Sequence, residues 1–171
     1  ETSNLSKPQI WIAAARPKTL AAAVVPVLVG SSLALKAGSF NVMLTMITLA
    51  VALLIQIGTN FTNDLYDFLK GADTKKRVGP LRVLNAGLVT PGQMKAAIII
   101  VFGAAFALGT FVVFQTNFWL FPIGVVSILS GLAYTSGPYP LAYNGLGDLF
   151  VFIFFGLIAT AGTFFVNTGH I

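Results

Sequence analysis

The chain has 171 residues, of which 56% are hydrophobic and only 9% charged, against about 25% charged in a soluble domain. That balance identifies an integral membrane protein whose main partner is the lipid bilayer. Cys is absent, which excludes disulfides, thiolate metal sites and thiol nucleophiles from these residues. The one His, His170, lies one residue from the end of the sequence, which argues against a His-rich metal site or a Ser–His–Asp triad. The net charge of +5 follows from topology, as shown below, and requires no nucleic acid.

The N-terminal stretch has no long apolar run with a small-residue cleavage site and is not expected to be a signal peptide. Ile10, Trp11 and Ile12 beside Arg16 and Lys18 predict a short interfacial segment with an aromatic anchor. Five apolar runs follow, at Leu20–Leu35, Phe40–Thr62, Ala96–Gln115, Phe118–Tyr134 and Leu149–Val166. They predict an all-α polytopic transmembrane bundle of about five spans, in a single domain. Gly103, Gly109, Gly124 and Gly131 are positions where helices can approach closely. With five spans, the N-terminal segment, the 69–95 loop and the 135–147 loop share one side of the membrane. That side holds Lys7, Arg16, Lys18, Lys70, Lys75, Lys76, Arg77, Arg82 and Lys95, and the other holds only Lys36. The asymmetry predicts that the N-terminus and the first of these loops are cytoplasmic.

The stretch Gln56–Arg82, QIGTNFTNDLYDFLKGADTKKRVGPLR, carries most of the chemistry. It holds three of the five acidic residues and five of the ten basic ones. At about 100° per residue, Asn60, Asn63, Asp64 and Asp67 fall within an arc of about 100° and form one polar face. Gly71 is the natural stop of that helix. Asp64 and Asp67 then lie in its last two turns, at the negative end of the dipole, and require a cation nearby. One reading is a solvated helix end with Asp67 paired to Lys70. The other is a hard-cation site, since carboxylate and amide oxygens suit Mg²⁺, with Asp73 as a further oxygen donor from the loop. Lys75, Lys76, Arg77 and Arg82 are either the topology signal alone or a grip on a polyanion held by the metal.

The second loop, AYTSGPYPLAYNGLGDLF, supplies Tyr134, Tyr139 and Tyr143. Its aromatics serve as an interfacial belt or help to roof a cavity. Asp148 is read as the N-cap of the fifth span. The Phe-rich runs around Phe150–Phe155 and Phe164–Phe165 face lipid, fill the core, or line a tunnel for an isoprenoid tail.

Taken together, RPKTL (Arg16 to Leu20), the NxxNDxxDxxxxGxD pattern from Asn60 to Asp73, RVGPLR (Arg77 to Arg82) with GLVTPGQMK after it, and YTSGPYPLAYNGLGD (Tyr134 to Asp148) carry a resemblance. The chain resembles the UbiA superfamily of membrane prenyltransferases, most closely its 1,4-dihydroxy-2-naphthoate (MenA-type) branch. The resemblance implies transfer of a polyprenyl or phytyl group from a prenyl diphosphate to 1,4-dihydroxy-2-naphthoate with decarboxylation, in menaquinone or phylloquinone synthesis. It implies Mg²⁺ held by Asn60, Asp64, Asp67 and Asp73, with Asn63 in support. Lys76, Arg77 and Arg82 would contact phosphate, and Tyr134, Tyr139 and Asp148 would shape the aromatic acceptor site. The membrane would be a bacterial inner membrane or a thylakoid. The family fold has roughly nine transmembrane helices and a second acidic motif, so these residues are expected to be an N-terminal portion, inactive alone. Alternatives are a relative acting on another aromatic acceptor, and a non-catalytic membrane subunit or ion-linked transporter.

Overall fold

A computed structural model describes residues 5–71 and 81–170. The described elements are helices: α1 (Lys7–Ala15), α2 (Ala21–Lys36), α3 (Val42–Leu69), α4 (Pro91–Gln115), α5 (Leu120–Ala133) and α6 (Gly147–Thr168). They form an all-α membrane bundle. Among the described residues α3, α4 and α6 are long and apolar enough to cross a bilayer, and α1 with α2 would make a fourth span bent by 55°. The α5 helix, with 14 residues, is apolar but shorter.

The bend has a local cause. Pro17 disfavours a helical conformation at the residue before it, and Arg16 takes a left-handed φ of 53°, so α1 stops there. Trp11 packs edge-on to Phe61, with ring centroids 5.5 Å apart. The segment that carries Trp11 docks on α3, and the buried Ala14 belongs to the same hydrophobic cluster. At the opposite end of the chain, Asn167 Oδ1 accepts hydrogen bonds from the Asn41 amide (2.8 Å) and Thr45 Oγ1 (3.2 Å), tying α6 to the start of α3.

The α3 helix has 28 residues, or about 42 Å at 1.5 Å per residue. The hydrocarbon core is about 30 Å thick and takes roughly 20 residues. A span that enters at Val42 is therefore used up near Thr62, and Asn63 to Asp67 emerge at the boundary. The helix ends as the sequence predicts, with Gly71 at φ 63° just past it. The α4 helix starts with a capping box: Thr90 Oγ1 accepts from the Gln93 amide (3.2 Å) and Gln93 Oε1 from the Thr90 amide (2.9 Å).

Two glycines set the spacing of α3, α4 and α5. A Cβ on Gly131 would lie 2.6 Å from Thr59 Oγ1, and one on Gly58 would lie 2.7 Å from the Phe102 ring. Of the four glycines read as contact points, Gly131 alone is tight: Gly103 and Gly124 face open space, and Gly109 is at ordinary contact with Val51. The main hydrophobic cluster lies at the acidic end of α3, where Phe61 and Leu65 meet Val83, Leu84, Met94 and Ile98.

Candidate functional site

Asp64 and Asp67 are 2% and 8% exposed. Two buried carboxylates at a helix C-terminus are costly unless a cation and hydrogen-bond donors compensate them. Arg82, itself 9% exposed, supplies the cation. Its Nη2 donates to Asp67 Oδ2, and its Nη1 lies 3.7 Å from Asp64 Oδ1. The local sequence explains why Arg82 arrives there. Val83 and Leu84 are 0% and 3% exposed in the hydrophobic cluster, and this anchor holds the preceding guanidinium against α3.

The loop between α5 and α6 closes the site from the other side. The Tyr143 hydroxyl donates to Asp67 Oδ1. Thr135 Oγ1 donates to Asn63 Oδ1 at 2.7 Å, and Lys70 Nζ donates to the Thr135 carbonyl at 3.0 Å. Lys70 also lies 4.8 Å from the centroid of the Tyr143 ring. The alternative in which Asp67 pairs with Lys70 is thereby corrected: Arg82 and Tyr143 take both carboxylate oxygens, and Lys70 turns to the loop.

Asn60 is 3% exposed. Its Nδ2 donates to the Ala15 carbonyl and Thr19 Oγ1, both at 2.8 Å. A backbone carbonyl only accepts, so the amide nitrogen must face the α1–α2 junction, and the side-chain oxygen points elsewhere. Asn60, Asn63 and Tyr134 line the polar end of a cavity of about 380 Å³, a size typical of small-molecule sites. Beyond them the cavity walls are apolar, with Val51, Phe106 and Phe154 along its length and Val113 at depth. From Asn63 to Thr48, both of which line it, α3 advances about 22 Å.

The remaining candidates are placed as follows. Tyr139 is 61% exposed and makes none of these contacts. Asp148 is exposed in the first turn of α6, whose N-cap is Leu146. The N-cap reading of Asp148 is corrected, though its charge still faces the positive end of the helix. The Tyr134 hydroxyl abuts the same helix start, 3.0 Å from where a Cβ on Gly147 would be. Asp73, Lys76 and Arg77 lie outside the described residues. Tyr143, Lys70 and Thr135 were not singled out as site residues; the one signal available was that all three belong to the two loops assigned to one side of the membrane.

A hard divalent cation fits the donor set in part. Asp64 Oδ1 is buried with no hydrogen-bond partner, held only by the longer ion pair to Arg82 at 3.7 Å, which leaves it capacity for a further ligand. Among the described residues no group of three or more acidic, His or Cys side chains is gathered, so two carboxylates and the Asn60 oxygen are the donors at hand.

The UbiA prenyltransferase family matches residues 23–171. The chain is 35% identical to the 1,4-dihydroxy-2-naphthoate octaprenyltransferase of Haemophilus influenzae, over 96% of this chain and 56% of that one. It is 36% identical to the protein of that name from Escherichia coli K12, covering 96% and 55%, and 36% identical to that of Bacillus subtilis, covering 91% and 50%. The chain thus spans about half the length of the curated relatives it matches. No solved structure matches it.

Proposed function

The chain belongs to the UbiA prenyltransferase family, and from that premise we propose that the protein carrying it is a Mg²⁺-dependent aromatic prenyltransferase. It moves a polyprenyl or phytyl group from its diphosphate to 1,4-dihydroxy-2-naphthoate, with loss of CO₂, in menaquinone or phylloquinone synthesis. The observation that carries the reading is a buried carboxylate pair, next along α3 to the polar end of an apolar cavity whose lining runs about 22 Å along that helix (about 15 residues at 1.5 Å each). A diphosphate headgroup with a long hydrocarbon tail has that division of chemistry.

In this reading Asp64 and Asp67, joined by Asp73, hold the metal, and the Asn60 oxygen faces it. When bound, Mg²⁺ neutralises charge on the departing diphosphate. Arg82, with Lys76 and Arg77, binds diphosphate oxygens through charge-assisted hydrogen bonds. The apolar walls hold the tail and exclude water, so the allylic carbon meets the electron-rich ring as its bond to diphosphate oxygen breaks. The ring carbon that bonds to the prenyl group gives up its proton, and departure of the carboxylate as CO₂ leaves a carbanion that takes up a proton, so the two proton transfers cancel. Tyr134, which lines the polar end, orients the acceptor there; Tyr139 and Asp148 lie outside the cavity lining, and their part in acceptor binding rests on the family resemblance alone.

One observation favours a second reading. Asp67 has both oxygens taken by Arg82 and Tyr143, as expected of an internally neutralised structural pair in a non-catalytic membrane subunit. Transfer of a labelled prenyl group to dihydroxynaphthoate separates the two, measured in detergent for the protein and its Asp67→Ala variant. Product from the parent that is lost in the variant supports the enzyme. Because the chain spans about half the length of its relatives, the assay uses the whole protein that carries it, and no product from either form of that protein favours the structural reading.

A further inference from the structure

We propose that Tyr143 is a positioning residue that clasps the loop between α5 and α6 onto the acidic helix end and sets the orientation of Asp67. The inference rests on the functional reading above but adds a residue and a moving part to it. Among the described residues the loop is fixed to α3 and to Lys70 just past its end by three hydrogen bonds: Thr135 on Asn63, Lys70 on the Thr135 carbonyl, and Tyr143 on Asp67. The first two lie at the start of the loop, next to Tyr134 at the cavity. Tyr143 is the third point, and it holds the far part of the loop.

Between them the backbone turns at Gly137 (φ 84°) and Gly145 (φ 72°), two left-handed positions with nothing within 4 Å of a would-be Cβ. Such positions suit hinges. Tyr143 is 48% exposed while its hydroxyl reaches a carboxylate that is 8% exposed. The ring therefore has room to leave, and Lys70 over its face at 4.8 Å holds it in register. A hydroxyl that donates to one oxygen of Asp67, while Arg82 holds the other, fixes the plane of that carboxylate. Outer partners of this kind tune the ligand they orient. Seating of the loop against the acidic helix end and orientation of the Asp67 carboxylate are thereby one linked event.

Two measurements on Tyr143→Phe, which deletes only the hydroxyl, test this. The first is hydrogen exchange of the 136–146 amides in detergent without ligand. The variant is expected to exchange on the order of tenfold faster there, the loss of one hydrogen bond to a charged group, with α3 and α4 unchanged. Exchange equal to that of the parent overturns the clasp. The second is the Mg²⁺ concentration for half-maximal binding of fluorescent farnesyl diphosphate, expected to rise about tenfold with full occupancy retained. An unchanged midpoint with fewer binding sites makes Tyr143 merely structural and overturns the proposal. A parent that binds no probe at any Mg²⁺ concentration rejects the functional reading, and the exchange result then decides the clasp by itself.

Discussion

Arg82 is the residue on which the acidic end of α3 depends. It is the counter-ion of two carboxylates that are each less than a tenth exposed. Removing one partner of a buried ion pair leaves the other charge uncompensated, at a cost of about 3–5 kcal/mol. Arg82→Ala is therefore expected to lower stability by that amount in a detergent unfolding series. Lys70→Ala, which removes an exposed cation, should cost about 1 kcal/mol or less. Equal effects from the two would refute the buried pairing. The demand for a cation was legible in the sequence, because Asp64 and Asp67 fall at the negative end of a helix. Its identity was not, since Lys70, Arg77 and Arg82 all lie within reach along the chain. What favours Arg82 is the burial of Val83 and Leu84 beside it, a tertiary event that no spacing reveals. The choice of Tyr143 over Tyr139 is of the same kind: both sit in a turn-rich loop, and only the folded path brings one hydroxyl to Asp67.

Among the helices, the spacing of α3 against α4 and α5 rests on places where a side chain is missing. Gly131→Ala puts a methyl 2.6 Å from Thr59 Oγ1, and overpacking of this sort costs about 1–3 kcal/mol. Gly103→Ala meets nothing within 4 Å and should be neutral or mildly stabilising, since Ala is the better helix former. Thermal unfolding of the two variants checks the contrast; matching shifts would contradict this packing. The element boundaries were readable because apolar runs and punctuation agree: Thr90-Pro91 with Gln93 opens α4, and Gly71 closes α3. The roles of the glycines were not readable. Four looked alike as contact points, and the tightest approaches include Gly58, inside a continuous apolar run that offered no signal. Nor does the apolar pattern announce the π-helical stretch Phe152–Ile158 within α6, which alters the turn at which Phe154 meets the cavity.

Across the whole molecule, the distribution of charge orients the chain and the cavity gives it a direction of use. Nine of the ten basic residues are assigned to one side, and we propose that this side, with the acidic end of α3, is cytoplasmic. The absence of native Cys makes the test clean. With an impermeant thiol reagent on oriented vesicles, Asn85→Cys should label from the cytoplasmic face and Ala37→Cys from the opposite face. Labelling of both from one side would overturn the topology. Binding of a prenyl diphosphate, with and without Mg²⁺, by the parent and by Asp64→Asn reaches the centre of the proposal. Among the described residues, Asp64 carries the one buried carboxylate oxygen without a hydrogen-bond partner, its cation being Arg82 at 3.7 Å. The expected result is binding that requires Mg²⁺ and weakens about tenfold or more in Asp64→Asn. Binding that is equally tight without the metal, or unchanged in Asp64→Asn, would contradict the assignment of this site to a metal-held diphosphate.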